Sequence, residues 1–343
     1  MKDCMTARER TLNFINGLAV DRLPFHPIIM RWAARYAGAK YGAFCLDYRV
    51  KCDAMIRCAE DFGIDWVTVM SDPYAEAQAF GVQVEFPEDD LPLERGGLLE
   101  NLNEAGRIRP YNVKNHPRLM NRVNEVKQFK KLTGDRYFVV GWVEGPIAEY
   151  GDIRGLSDAA LDFYDEPETV HKILDVITES AINLITEQVQ AGADCIGIGD
   201  AFCSQIGPDL YREFAFEREK RLVDHIHALG AVAKLHICGN TSSLIPDMIK
   251  TGANILDIDH LVPSMAPFVP LLGPGQVFSG NGDPVTVIQN GNDTVIRGSV
   301  RRCNEESQGR CIVSAGCEVP PGTPVENMLS FAAAAADHNK EKQ

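Results

Sequence analysis

The sequence has no long hydrophobic run. No stretch approaches the roughly 18 uninterrupted apolar residues that a membrane-spanning helix needs. Residues 1–14 (MKDCMTARERTLNF) also lack the apolar core of a secretory signal peptide. We therefore expect a cytoplasmic protein that does not span a membrane.

Positive charge is also scarce. The chain carries 34 Lys and Arg against 48 Asp and Glu, a formal net charge of −14. A surface of this sign repels phosphate backbones and anionic lipid headgroups, so nucleic acids and membranes are disfavoured as main partners. Small substrates and protein partners are compatible with it.

Cysteine is plentiful, but the ten residues are scattered and lack the regular spacing of a disulfide framework. In a cytoplasmic protein such thiols are expected to stay reduced, and some are then free to bind a metal ion. Internal repeats, low-complexity tracts and domain linkers are absent from the sequence. A single domain over residues 1–343 is therefore predicted, with no prediction of its oligomeric state.

Eight short apolar runs have the pattern of buried strands. They span residues 25–30, 66–70, 137–143, 195–199, 232–237, 255–258, 276–279 and 311–315. Most are separated by segments with helical periodicity. Continuous apolar strands that alternate with helices predict a parallel sheet, and eight of them predict an α/β protein with a closed (β/α)8 TIM barrel.

Two segments depart from simple alternation. Thr6 and Glu9 have the spacing of a capping box, which predicts an N-terminal helix over residues 6–18. The second connection between strand and helix, about 72–136, is too long for one helix. Its turn-rich part, residues 81–110, predicts a hairpin-like excursion over the mouth of the barrel.

Polar residues follow almost every predicted strand, at the end where barrel enzymes keep their catalytic groups. They are Arg31, Asp72, Glu144, Asp200, His236, Cys238, Asp259, His260, Asn281, Asp283 and Cys317. This placement predicts a cavity lined with ionisable side chains. The alternative is that loops after strands are simply polar.

His236, Cys238 and Cys317 form a candidate metal site. Residues two apart in a strand face the same side, so His236 and Cys238 can point at one ion, and Cys317 follows the last predicted strand. One imidazole and two thiolates with an open fourth position is a ligand set of catalytic zinc. The three side chains can meet only if strands five and eight, which are not neighbours in the barrel, both direct them inward at the rim. Otherwise the cysteines are small buried hydrophobes and the histidine is part of the core.

The chain resembles the uroporphyrinogen decarboxylase superfamily over nearly its whole length. The resemblance is carried by residues 27–36 (PIIMRWAARY), Ser71-Asp72 with Phe80-Gly81 after it, residues 280–284 (GNGDP) and residues 323–327 (TPVEN). It implies a (β/α)8 barrel of that type. Members of the superfamily divide into decarboxylases and zinc-dependent methyltransferases that work with corrinoid proteins.

Three segments point to the methyltransferase branch. Decarboxylases carry a histidine in a Gly-His-Gly stretch before the Thr-Pro-x-Glu-Asn motif, where this chain has Cys317. His236 and Cys238 resemble the pair that the corrinoid branch uses, with that later cysteine, to hold zinc. Residues 141–149 (GWVEGPIAE) look most like the methyltransferases of O-demethylase systems.

The resemblance also suggests roles for residues at the predicted mouth. Glu144 is either a fourth zinc ligand or the acid that protonates a departing oxygen, unless it only bonds to rim backbone. Asp72 either orients substrate or a zinc ligand, or caps a helix. Arg31 and Arg35 share one helix face and contact an anionic substrate or the corrinoid, or only form rim salt bridges.

Four further residues are weaker candidates. Asp200 is a candidate catalytic residue, and His260, Tyr150 and Asn281 are candidates for binding substrate or corrinoid.

The favoured hypothesis is transfer of a methyl group from a small methylated compound to the cobalt of a corrinoid (cobalamin). Among such compounds, an aryl methyl ether is the preferred donor. The chain has no Asp-x-His-x-x-Gly stretch for corrinoid binding, so a separate corrinoid-binding protein is the expected partner. The alternatives are methyl transfer from that partner to a thiol such as coenzyme M, metal-free porphyrinogen decarboxylation, which Cys317 disfavours, and a non-enzymatic zinc-binding protein.

Overall fold

The computed structural model describes residues 4–337. In chain order its strands are Trp66–Thr68 (β1), Val84–Glu85 (β2), Leu93–Glu94 (β3), Phe138–Glu144 (β4), Cys195–Gly199 (β5), Val232–Ile237 (β6), Ile255–Ile258 (β7), Val277–Gly282 (β8) and Cys311–Ala315 (β9). Seven of them form one parallel sheet in the order β1-β4-β5-β6-β7-β8-β9. Strands and helices alternate along the chain, so the predicted α/β barrel architecture is confirmed.

The helices around the sheet bury their apolar faces against it. In chain order they are Ala7–Ile15 (α1), Met30–Ala37 (α2), Tyr41–Leu46 (α3), Tyr48–Phe62 (α4), Tyr74–Phe80 (α5), Pro117–Thr133 (α6), Pro146–Arg154 (α7), Leu156–Asp165 (α8), Pro167–Gln190 (α9), Cys203–Leu210 (α10), Phe216–Ala228 (α11), Ile245–Lys250 (α12), Asp293–Glu306 (α13) and Val325–Asp337 (α14). Short 3-10 helices span Leu102–Arg107, Val113–Asn115 and Ala266–Leu271, and π-helical turns span Tyr211–Ala215 and Pro284–Gln289. No helix within residues 4–337 has both the length and the apolar character that a membrane crossing demands.

The eighth position of the ring is held by a single residue instead of a strand. Phe25 forms an isolated parallel bridge with Val313 of β9, and its carbonyl accepts from the amide of Asp65, next to β1, at 2.9 Å. The predicted strand 25–30 is therefore wrong in extent. Pro24 and Pro27 flank this point and have no amide hydrogen to donate, so a longer ladder does not form.

The carboxylate of Asp65 fixes this closure. It is fully buried and accepts from the amide of Phe25 at 2.7 Å. The guanidinium of Arg22 donates to it at 2.8 Å, and that of Arg10 donates to it as well. The closing segment is thus bound to the first strand through one side chain.

Replacing Asp65 by alanine should lower the free energy of unfolding by about 3–5 kcal/mol, because two arginines would lose their buried counter-ion. Denaturant titration measures this loss. The exposed pair of Lys220 with Asp224 supplies a control, since Asp224→Ala should change stability by less than about 0.5 kcal/mol. Equal small effects for the two variants would contradict the closure role.

The N-terminal helix begins as predicted and ends earlier. Thr6 caps α1, and both hydrogen bonds of the capping box with Glu9 are present. The helix ends at Ile15 and not at residue 18, because Gly17 adopts a φ of 68° that turns the chain away.

The long second connection crosses the carboxyl end of the sheet. It contains α5, the antiparallel hairpin β2–β3, two 3-10 turns and then α6. In the hairpin Val84 pairs with Glu94, and the turn between its strands carries Leu91 and Pro92 to the wall of the central cavity. The predicted excursion, 81–110, contains this hairpin.

Candidate metal centre

The three predicted metal ligands lie together at the mouth of the ring. His236 Nε2 is 3.0 Å from the sulfur of Cys238, and that sulfur is 3.8 Å from the sulfur of Cys317. The three donor atoms all lie within 4.8 Å of one another. His236 is buried, whereas both cysteines are partly accessible.

A close approach of two loops explains how ligands from distant strands meet. β7 and β8 separate β6 from β9, so Cys317 has to cross them. Gly316 makes this crossing possible, since a Cβ there would lie 2.2 Å from the amide nitrogen of His260, in the loop after β7. The missing side chain lets the segment after β9 lie directly on that loop, which brings Cys317 to Cys238.

The two thiols are electrostatically different. Hydrogen bonds from Cys238 and then His236 lower the pKa of Cys317 to about 4, although burial acts in the opposite sense. The hydrogen bond to Cys317, together with burial, raises the pKa of Cys238. Cys317 is thus already a thiolate near neutral pH, the form that binds metals.

Asp257, which is paired with His236 across β6 and β7, lies within ion-pair distance of the imidazole. Asp257 Oδ2 lies 3.0 Å from His236 Nδ1 and 2.8 Å from the Nζ atom of Lys234. Burial lowers the pKa of His236, but hydrogen bonds with Asp257 and Cys317 outweigh it and raise the pKa to about 9. With Nδ1 facing a carboxylate, Nε2 is the nitrogen that faces the two sulfurs, which is the arrangement of a zinc-binding histidine. The donor chemistry and this orientation fit zinc.

A cavity of about 320 Å³ opens beside these donors. Its apolar wall is formed by Ile28, Met30, Met70, Leu91, Pro92 and Trp142. Three carboxylates also line it, those of Asp72, Glu144 and Glu318. Among the described residues, no lysine or arginine lines this cavity.

Two of the three carboxylates are paired with an arginine. Arg118 Nη2 donates to both oxygens of Asp72, at 2.7 and 2.6 Å. Burial raises the pKa of Asp72, but Arg118 and Arg122 outweigh it and hold that pKa below its usual value. Glu318 accepts from the amide of Arg31 at 2.9 Å, and the Arg31 side chain is 3.6 Å away.

Glu144, the last residue of β4, has no such cation. Its Oε1 accepts from the indole nitrogen of Trp142 at 2.8 Å. Burial, followed by repulsion from Glu76, raises the pKa of Glu144 well above its usual value. Glu144 is therefore a carboxyl group at the cavity wall whose protonated form is favoured by its surroundings.

Arg31 and five other candidates do not line the cavity. Asp200 is fully buried and caps α7, accepting from the amide of Ala148 at 2.6 Å. Tyr150 donates to Asp162 at 2.7 Å, and the side-chain amide of Asn281 donates to the carbonyl of Val262 at 2.9 Å. The remaining two are His260, whose Nδ1 is 2.8 Å from Asp259, and Arg35, which donates to the carbonyl of Pro321 at 3.2 Å.

Arg31 and Arg35 lie together on α2, as their spacing predicts, and line a separate groove of about 520 Å³.

Sequence reasoning missed Lys234, Asp257, Trp142 and Glu318. Lys234 and Asp257 stand inside predicted strands that are otherwise apolar, and a charge at an inward position of a strand was the available signal. Glu318 directly follows a predicted ligand and offered no separate signal.

Comparisons with known proteins agree with this architecture. The family model described as uroporphyrinogen decarboxylase (URO-D) matches residues 6–338. Methylcobamide:CoM methyltransferase MtbA of Methanosarcina mazei is 26% identical, over 97% of this chain and 98% of its own. Uroporphyrinogen decarboxylase of Parasynechococcus marenigrum is 25% identical, over 93% and 94%. The solved structure of a methyltransferase from Methanosarcina mazei superposes with a TM-score of 0.88 at 22% identity, over 98% and 99% of the two chains, and supports the fold.

Proposed function

The chain belongs to the uroporphyrinogen decarboxylase family, and on that basis we propose that it is a zinc-dependent methyltransferase acting with a separate corrinoid protein. The methyl donor in this proposal is a small aryl methyl ether, and the acceptor is the cobalt of the corrinoid. One observation carries the proposal: the donor set of His236, Cys238 and Cys317 stands at the wall of a small apolar cavity. The similarity to a methylcobamide-dependent methyltransferase supports the same branch.

His236, Cys238 and Cys317 are the residues that would hold zinc. When bound, zinc supplies a Lewis acid for an ether oxygen or lowers the pKa of a thiol. The cavity beside the donors limits which compound reaches them. Its apolar wall and the indole of Trp142, whose ring centroid is 6.5 Å from that of His236, fit a flat aromatic ring.

The charge of the cavity selects among possible substrates. A sulfonate or carboxylate entering it would lose its hydration, and among the described residues no lysine or arginine lines the cavity to offset that cost. This argues against coenzyme M, which carries a sulfonate, and against porphyrinogens, which carry several carboxylates. A neutral methoxyarene does not have this desolvation cost.

We assign the acid role to Glu144, because it lines the cavity and its pKa is raised. The methyl C–O bond breaks with its electron pair left on oxygen, and that oxygen takes the proton of Glu144. The methyl carbon would pass to the corrinoid acceptor, which would supply the electron pair of the new bond. Trp142 holds one oxygen of Glu144 at 2.8 Å, which keeps the acid oriented while substrate binds.

Methyl transfer to free cob(I)alamin tests the proposal. The zinc-loaded protein should form methylcobalamin from a neutral methoxyphenol, and at least about tenfold more slowly from a methoxybenzoate, a discrimination of about 1.4 kcal/mol. Absorbance of cob(I)alamin and methylcobalamin follows the reaction. The metal-free protein is the control.

A second candidate, methyl transfer from methylcobalamin to a thiol, is favoured by the name of the similar methanogen enzyme. The same protein is therefore assayed with methylcobalamin and either a neutral thiol or 2-mercaptoethanesulfonate. Thiol methylation without any ether cleavage would overturn the aryl ether proposal.

A further inference from the structure

We propose that Lys234 is a positioning residue for the metal-binding histidine, which it serves by fixing Asp257 against His236. This inference rests on the zinc site of the proposed function. Lys234 does not line the cavity, and its ion-pair partner is Asp257. Its action would be exerted entirely through that carboxylate.

The strand register puts these groups in line. Lys234 and His236 are two apart on β6 and so point to the same side of the sheet, and Cys238 follows directly after the strand ends. Asp257 is the register partner of His236 on β7. One atom of it, Oδ2, lies 2.8 Å from the Nζ atom of Lys234 and 3.0 Å from Nδ1 of His236.

The ammonium group of Lys234 is held in the barrel interior. The side chain is 1% exposed, and its Nζ lies 5.8 and 5.6 Å from the ring centroids of Trp66 and Trp142. Aromatic faces stabilise a cation at this range. A buried lysine is costly unless it is paired, and Asp257 is the only carboxylate among the described residues within 4 Å of it.

Charge balance explains how a buried lysine at position 234 would support zinc binding. Zinc bound by two thiolates and a neutral imidazole would have no net charge. Asp257 adds one buried negative charge next to His236. Lys234 cancels that charge, so the whole assembly is neutral. Without it, the buried carboxylate of Asp257 would lose its counter-ion and would no longer be held 3.0 Å from Nδ1 of His236.

A second buried lysine provides a matched control. Lys51, on α4, is also 1% exposed, and its Nζ lies 3.1 Å from the buried carboxylate of Glu125, on α6. A methionine at either position keeps most of the side-chain volume and removes the charge. Both substitutions break a buried ion pair, but only one pair touches a proposed zinc ligand.

Metal binding by the full-length protein tests the inference. Lys234→Met should weaken zinc binding about 10–100-fold in a chelator competition and shift the absorption bands of the cobalt(II)-substituted protein, whereas Lys51→Met should leave both near wild type. In an Asp257→Asn background, Lys234→Met should cause no further loss, because the lysine acts through Asp257. Wild-type zinc affinity in Lys234→Met, or an added loss when Lys234→Met is combined with Asp257→Asn, overturns the inference.

A charge-neutral pair of variants covers the case in which Lys234→Met does not fold, as judged by circular dichroism. The double variant Lys234→Met/Asp257→Asn should bind zinc about 10–100-fold more weakly than Lys51→Met/Glu125→Gln. Equal affinities overturn the inference. If wild-type protein shows no thiolate-to-cobalt charge-transfer band, the zinc site of the proposed function fails, and this inference fails with it.

Discussion

Replacing Cys317 by alanine is expected to reduce bound zinc from about one ion per chain to a small fraction and to slow methyl transfer by about a thousandfold or more. The loss follows from the removal of the thiolate, since two donors remain where a catalytic zinc site has three protein ligands. Several kcal/mol of transition-state stabilisation by a metal corresponds to that factor in rate. Metal analysis after dialysis and the cob(I)alamin assay measure both effects.

A nearby cysteine separates this loss from simple destabilisation. Cys311 is on β9, the strand that leads to Cys317, and its sulfur faces the carbonyl of Gly280 at 3.2 Å. Cys311→Ala removes a buried sulfur of the same strand and should retain zinc and activity while it unfolds at lower temperature. If Cys317→Ala keeps a full zinc ion and wild-type rates, the assignment of this ligand is wrong.

Glutamine at position 144 should slow demethylation by about 10²–10⁴-fold, because Glu144 lines the cavity with a raised pKa and glutamine has no proton to give. The ratio of the wild-type rate to the variant rate should be smaller for methyl ethers that release a more acidic phenol, since a better leaving group needs less protonation. Rates across a series of substituted methoxybenzenes measure this dependence.

Glu149→Gln is the matched control for that variant. Glu149 is also buried, and burial raises its pKa well above the usual value, but it does not line the cavity. Its replacement should leave the substituent dependence unchanged. Equal losses in the two variants, with no dependence on the leaving group, would contradict the acid role of Glu144.

The pH dependence of the rate provides a second measurement. An acid works in its protonated form, so the wild-type rate should be level below the raised pKa of Glu144 and fall as the pH increases through it. Glu144→Gln should lack this fall. The same shift affects stability: a raised pKa favours folding at low pH, and this contribution is lost as the pH rises through it, so the glutamine variant should lose less stability in alkaline solution.

Strand periodicity predicted the interior of the ring well and its closure poorly. The predicted strands 195–199, 232–237, 255–258 and 311–315 have the bounds of β5, β6, β7 and β9. These strands are buried on both faces, so their apolar runs are continuous. At residues 25–30 the apolar run was misleading, because prolines interrupt the ladder and a hydrogen bond from the amide of Phe25 to the buried carboxylate of Asp65 replaces it.

Spacing was sufficient to nominate the metal ligands, but the cavity depends on contacts between distant segments. His236 lies on β6 and Cys238 follows the strand by one residue, a spacing that the sequence displays directly. The approach of Cys317 depends on Gly316 packing on the loop after β7, a contact between residues far apart in the chain. Placing Leu91 at the cavity wall, and Asp200 outside it, requires the path of the long second connection and the cap of α7.

The distance between the metal donors along the chain has a consequence for biosynthesis. Cys317 follows Cys238 by 79 residues and comes after the last strand, β9. A growing polypeptide presents His236 and Cys238 first and completes the three-donor set only after β9 and Cys317 have been synthesised. An ion that needs all three donors is therefore retained only by chains that extend past Cys317, and shorter products release it.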